Sequence, residues 1–362
     1  MKVYFCLMKK SLLLVLLCLL VIVAMAQPNN PATIKLTAIN NPHSFPIVDN
    51  GSSATLYYDT ADAKVVGVAA RAFQQDVALV TGVKPSLLLA GNTMGNTAII
   101  IGSISNSSLI KQLIQSKKLD ATNIAGKWES FIITTVQNPF PGVAKALVVA
   151  GSDARGTAYG VFEISKLIGV SPWYWWADVV PAHKASLYVS DNTQVNGEPS
   201  VKYRGLFIND EDWGMQPWAA KKMDTDIKDI GPNTYAHIFE LLLRLKANFI
   251  WPAMHPCTKA FYYYKENPVV ADTYGIVVGT SHCEPMLRNN VFEWAKNYKN
   301  EYGVEPGEWR YDVNKAQIAP YWRDRIAETK AYQLVITVGM RGVHDGGMPG
   351  TKDMNGKRSL VG

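Results

Sequence analysis

The stretch Tyr203–Gly214, YRGLFINDEDWG, decides how the rest of the chain is read. A short apolar run, Gly205-Leu206-Phe207-Ile208, stops abruptly at Asn209, Asp210, Glu211 and Asp212, with Trp213 next. A continuous apolar run this short, followed by a polar break, reads as a fully buried parallel strand leaving its sheet. In α/β barrels and open α/β sheets, chemistry sits at the carboxyl ends of the strands. Here an amide, three carboxylates and an indole arrive together. Carboxylates do general acid and base work, and flat aromatic faces stack on sugar rings. A solvated acidic loop is the competing reading, and on this stretch alone the two are balanced.

A βα rhythm follows. A helix over Thr234–Ala247, with Ile238, Leu241, Leu242 and Leu245 on one face, leads to a strand at Asn248–Pro252 that ends in Ala253-Met254-His255. A short helix over Asn267–Tyr274 leads to a strand at Ile276–Gly279, then Ser281-His282-Cys283-Glu284-Pro285. Helices over Met286–Tyr298 and Asn314–Ala331 precede a strand at Gln333–Val338, after which come Arg341, His344 and Asp345. Four strands alternating with helices, each ending in polar residues, predict the first half of a (β/α)8 TIM-type barrel. Three of the six histidines, His255, His282 and His344, fall just past strand ends, which favours the functional reading of Tyr203–Gly214. A barrel needs eight units and four are present, so the expectation is an N-terminal fragment that stops in the loop after strand four.

Upstream, the pattern predicts a small α/β domain. Strands are expected at Ala54–Asp59, Thr97–Gly102, Ser130–Val136 and Lys145–Gly151, and helices at Lys64–Thr81, Ser107–Leu119 and Thr157–Ile168. Asn29–Ser53 reads as an irregular lead-in. Gly151–Gly156, GSDARG, lacks phosphate-loop spacing and reads as a turn in which Arg155 pairs locally. Glu163 reads as a helix-face charge rather than a catalyst, one that could reach a neighbouring domain. Trp173, Tyr174, Trp175 and Trp176 read first as a hydrophobic clamp between domains, with a sugar-stacking wall as the alternative. The fold class is therefore α/β: residues 27–197 as the N-terminal domain and residues 198–362 as four βα units of a truncated catalytic barrel.

Residues 1–26 predict a secretory signal peptide. Lys2, Lys9 and Lys10 precede the apolar run Leu12–Val23, and Ala24-Met25-Ala26 is an A-x-A cleavage site. A secreted or periplasmic protein is expected, without stable membrane insertion, because the run is short for a span. Removing those three lysines from the 36 Lys and Arg leaves 33 against 30 acids, too slight an excess to imply nucleic acid. Two of the four cysteines leave with the signal, and the remaining Cys257 and Cys283 make no disulfide framework. The two are expected to lie on neighbouring loops as free thiols.

The blocks YRGLFINDEDWGMQPWA, ANFIWPAMHPCTKAF, GTSHCEPMLRNN and VGMRGVHDGGMPG resemble the bacterial α-glucuronidases of glycoside hydrolase family 115, over most of Val201–Gly362. GSDARGTAYGVFEISKLIGVSPWYWWADV resembles the N-terminal domain of the same family. The resemblance implies removal of glucuronic acid or its 4-O-methyl form from glucuronoxylan or glucuronoxylo-oligosaccharides, with inversion, and implies no cofactor and no metal. It also implies a longer protein and a catalytic glutamate beyond position 362. Inversion needs two carboxyl groups about 6.5–9.5 Å apart. Asp345 is the catalytic candidate, with an Asp-Gly-Gly turn as its bland alternative. Arg341 and His344 suit a substrate carboxylate. Asn209, Asp210, Glu211, Asp212, Trp213, His255, His282 and Glu284 are the further substrate-binding candidates, Glu284 doubling as a candidate helix cap. A zinc set of His255, Cys257, His282 and Cys283, and calcium on Asp210, Glu211 and Asp212, match no standard spacing. A non-catalytic carbohydrate-binding protein is the alternative function. Oligomeric state is left open.

Overall fold

A computed structural model of the chain describes residues 33–347. The expected signal peptide lies outside the described residues. In chain order come β1 (Leu36–Thr37), β2 (Ser44–Asp49), β3 (Ser52–Ser53), β4 (Thr55–Tyr58), α1 (Lys64–Thr81), β5 (Leu87–Leu89) and β6 (Thr97–Ser103). Then follow α2 (Ser108–Gln115), β7 (Phe131–Gln137), β8 (Lys145–Gly151), α3 (Ala154–Ile168), β9 (Leu187–Ser190) and β10 (Gln194–Asn196). One sheet has the order β10-β7-β8-β6-β4-β5, in which β5, β4, β6 and β8 run parallel and β7 runs against β8 and β10.

α1 forms because Val66, Ala70, Phe73, Val77 and Val80 repeat on one face, and all five are buried. It stops where Gly82 turns left-handed at φ 75°. α3 begins at Ala154, three residues before the sequence pattern suggests, because the Asp153 carboxylate accepts the Gly156 amide hydrogen at 2.8 Å.

The lead-in is not irregular where it is described. β2 pairs with β9 and β3, and β1 with β9, in an antiparallel sheet. The signal was masked by Pro46, which sits at a register shift in the pairing, and by a partner about 140 residues downstream.

The second region adds β11 (Gly205–Phe207), α4 (Met215–Lys222), α5 (Pro232–Arg244), β12 (Phe249–Trp251), α6 (Glu266–Thr273), β13 (Val277–Val278), α7 (Tyr298–Tyr302) and α8 (Tyr311–Thr329). β11, β12 and β13 lie side by side in sequence order, all parallel. The backbones of the first pair come so close that a Cβ on Gly205 would sit 1.8 Å from the Phe249 carbonyl oxygen. Three expectations are corrected here. Leu206 and Phe207 are 39% and 40% exposed, because β11 is an edge strand hydrogen-bonded to β12 alone among the described strands. Gln333–Val338 forms no strand, only an isolated parallel bridge from Val278 to Leu334. The helix expected over Met286–Tyr298 is broken into a 3-10 turn at Pro285–Leu287, a π-helix at Asn290–Asn297 and α7. The break comes where Met286 and Leu287 adopt positive φ, and Asn289 restarts the helix by accepting the Val291 and Phe292 amide hydrogens.

The two regions share one apolar core, which runs from Ile34 through α1, α3 and α5 to Leu287, across the domain boundary expected at residue 197. A polar junction also ties them together. Glu129, 2% exposed, accepts hydrogen bonds from Arg155 Nε (2.6 Å), Arg204 Nη2 (2.5 Å) and Asn248 Nδ2 (2.6 Å). Arg155 does not pair locally: its Nη1 also donates to the Gly275 carbonyl and the Gln333 side chain. Arg204, Asn248 and Gly275 lie just before β11, β12 and β13, and Gln333 just before Leu334. The junction therefore gathers the amino ends of all four parallel segments, and their carboxyl ends are free to carry the site. Glu163 also crosses the regions, pairing with Lys246.

The Trp173–Trp176 run behaves as the clamp. Trp175 stacks on His237 of α5 with ring centroids 3.8 Å apart. Tyr174 Oη donates to Glu240, and Trp176 Nε1 to the His237 carbonyl. The same rings, with Met215 and Trp218, border a cleft of about 640 Å3.

Candidate active site

The segments that follow β11, β12, β13 and the bridged residue Leu334 carry side chains that form two touching clusters. The first begins after β11. Asp210 takes a left-handed conformation, φ 55°, and starts a 3-10 turn over Glu211–Trp213. That turn drives Glu211 inward to 2% exposure. One carboxylate oxygen of Glu211 accepts the Met254 and His255 amide hydrogens at 2.7 and 2.6 Å, so the loop after β12 is docked on the loop after β11. The other, Oε2, is buried with no hydrogen-bond partner and lies 3.9 Å from His255 Nδ1. Asp212 Oδ1 faces the same nitrogen at 3.2 Å. Asp210, Asp212 and His255 have ligand-type atoms within 4.8 Å of one another, the one such metal-sized group among the described residues.

The second cluster centres on Asp345. His282 Nε2 lies 2.9 Å from its Oδ1, and His344 Nδ1 lies 3.3 Å from its Oδ2. Arg341 Nη2 donates to its backbone carbonyl at 2.9 Å and lies 3.7 Å from Oδ1. The His282 hydrogen bond holds the Asp345 carboxyl below the usual carboxylate range, with His344, His282 and Arg341 adding their charges. Its side chain is 68% exposed. The clusters meet where the His255 and His344 rings lie 5.5 Å apart at 52°.

One cluster is therefore rich in acceptors and the other in donors. Carboxylate oxygens suit sugar hydroxyls. A guanidinium with two imidazoles suits an anionic group, since Arg offers five donors in a fork and only one is used on the Asp345 carbonyl.

Glu284 stands apart. It is 3% exposed, and burial pushes its carboxyl up to about 8. Oε1 accepts from Asn289 Nδ2 at 3.2 Å, and Oε2 is buried without a partner. It caps no helix with its side chain; Asn289 does that instead. Asn289 Nδ2 also donates to the Met254 carbonyl, so it braces the β12 loop from the other side.

The profile of Glycosyl hydrolase family 115 matches residues 196–361. A solved family GH115 4-O-methyl-α-glucuronidase, with specificity for decorated arabinogalactans, is 40% identical to this chain at a TM-score of 0.71, with 82% of this chain and 37% of that one covered. Residues 196–361 belong to glycosyl hydrolase family 115. The chain thus spans about 37% of the length of that glucuronidase. CpGH84D matches at 8% identity and a TM-score of 0.43 over 83% of this chain and 42% of the other. A mutant Streptomyces plicatus β-hexosaminidase matches at 12% identity and a TM-score of 0.42, over 74% and 47%. A search of curated proteins found no match.

Within the residues that match the family 115 profile, the structure brings together Asp210, Glu211, Asp212, His255, His282, Arg341, His344 and Asp345. Asn209 and Trp213 are exposed, Trp213 to 84%, and among the described residues no side-chain hydrogen bond or ring contact draws either of them into a cluster. The rival set of His255, Cys257, His282 and Cys283 forms no metal-sized group among the described residues. Both cysteines are free, and burial is the first cause that pushes each thiol up to about 11, away from the thiolate that zinc needs. Sequence reasoning missed Asn289, Asn290 and Trp309. Asn290 accepts the His344 amide hydrogen and donates to the Gly342 carbonyl, and Trp309 Nε1 donates to the Arg341 carbonyl. Asn290 and Trp309 thus hold the 341–345 loop while Asn289 braces the loop after β12, and nothing in their local sequence marks these roles.

Proposed function

We propose that this chain carries the uronate-binding part of a secreted inverting glycoside hydrolase that removes glucuronic acid, or its 4-O-methyl form, from decorated polysaccharides. The N-terminal α/β region with the first βα units of a catalytic barrel is part of the same reading, as are the signal peptide and its cut after Ala26. The observation that carries it is the meeting of a donor-rich cluster, Arg341, His282 and His344, with an acceptor-rich one, Asp210, Asp212 and His255. A glucuronyl unit has one carboxylate and several hydroxyls, and each cluster matches one of these.

In this reading the Arg341 fork and the two imidazoles hold the sugar carboxylate, and Asp210 and Asp212 accept from its hydroxyls. Asp345, held ionised, suits the general base that takes a proton from the attacking water. The acid partner of an inverting pair needs a raised pKa together with access to the glycosidic oxygen. Among the described residues the carboxyls with raised values are Asp76 and Glu284, both buried.

The test is to assay release of 4-O-methylglucuronic acid from glucuronoxylan and, because the solved relative's specificity is for decorated arabinogalactans, from those as well. Asp345→Asn is expected to lower turnover by about 10²–10⁴-fold while leaving substrate binding in place. Because the wild-type carboxyl sits below the ordinary range, its activity as a base is retained above that range and falls only as pH drops through the lowered value. Full activity of Asp345→Asn would remove Asp345 from the mechanism.

A further inference from the structure

We infer that Glu211 is a positioning residue that fixes His255 in the Nδ1–H tautomer, so that Nε2 faces the candidate site as a hydrogen-bond acceptor for a sugar hydroxyl. The tautomer follows from the oxygens around Nδ1. Asp212 Oδ1 lies 3.2 Å from it and Glu211 Oε2 lies 3.9 Å from it, and both are acceptors. A bare imidazole lone pair there would face two carboxylates, and a hydrogen on Nδ1 removes the conflict. Of the two, Glu211 is the fixed one. Its Oε1 takes two backbone amide hydrogens, from Met254 and His255, and the side chain is buried. Its unpartnered Oε2 therefore cannot turn away from the imidazole. Asp212 has a half-exposed side chain with no comparable anchor.

The same geometry explains why a buried acid stands in a loop otherwise open to solvent. Glu211 does not touch ligand. It holds the His255 backbone by one oxygen and selects the ring's protonation pattern by the other. With Nδ1 so engaged, the acceptor left to a neutral ring is Nε2. The assignment of a sugar hydroxyl as its donor rests on the proposed function; the tautomer does not.

The test uses the whole chain labelled with 15N-histidine, with long-range 1H–15N spectra at pH 8 and His255 assigned by its loss in His255→Gln. The wild-type protein is expected to show a protonated Nδ1 and an unprotonated Nε2. A protonated Nε2 would overturn the inference. In Glu211→Gln the amide oxygen must still accept from the two backbone donors, so the NH2 group is turned on Nδ1. The Nδ1–H form is expected to fall at least about tenfold against the Nε2–H form. Asp212→Asn, free to rotate, is expected to keep the wild-type pattern, so the dependence is read even if Glu211→Gln folds poorly. A shift in Asp212→Asn would hand the role to Asp212 and sink the claim for Glu211. Titration with D-glucuronate then probes the ligand half: Nε2 is expected to move and Nδ1 to stay. An unmoved Nε2 would overturn the hydroxyl contact while leaving the tautomer result standing.

Discussion

Two buried glutamates with unpartnered oxygens, Glu211 and Glu284, stand behind the site loops and set them from below. Glu284 carries the clearer pH consequence. Its folded pKa of about 8 lies above the ordinary 4.5, so its contribution to stability is fully present below pH 4.5 and is lost as pH rises through 8. Glu284→Gln removes that dependence. The variant should gain about 4 kcal/mol on the wild-type protein between pH 5 and pH 9, seen as converging or crossing melting curves. Parallel melting curves across that range would show that Glu284 does not hold a proton in the fold. At this scale the sequence was legible in part. The grouping of Asp345 with its basic neighbours could be read because Arg341, His344 and Asp345 lie within five residues of one another, although the strand expected before them is only an isolated bridge. Asn290 and Trp309 could not, since they hold that loop from 54 and 32 residues away.

Elements with their own strong periodicity were read correctly. Lys64–Thr81 matches α1, and Lys145–Gly151 matches β8, end for end. The misses have local causes. Pro46 disguises β2, and the left-handed pair Met286 and Leu287 breaks a helix that the apolar spacing favours. Arg155 was misread because its partners come from three separate segments. That residue and Glu129 join the amino ends of the parallel strands, the face where residues serve stability rather than chemistry. Glu129→Ala leaves Arg155, Arg204 and Asn248 without their shared acceptor. It should cost about 3 kcal/mol in urea unfolding and leave glucuronate binding of the folded protein unchanged. A variant as stable as the wild-type protein would show that the junction contributes nothing.

For the molecule as a whole, one apolar core and one buried polar junction fix four parallel segments at one end. Their opposite ends then bring an acceptor cluster against a donor cluster, 5.5 Å apart at the His255 and His344 rings. In the proposed function, selectivity for a charged sugar rests on that pairing, with Arg341 as the residue it depends on most. The most direct measurement is isothermal titration of the protein with D-glucuronate and with neutral D-glucose, repeated on Arg341→Met. The wild-type protein should bind glucuronate at least about tenfold more tightly than glucose, and the substitution should erase that preference. Equal binding of the two sugars by the wild-type protein, or an undiminished preference in Arg341→Met, would contradict the account.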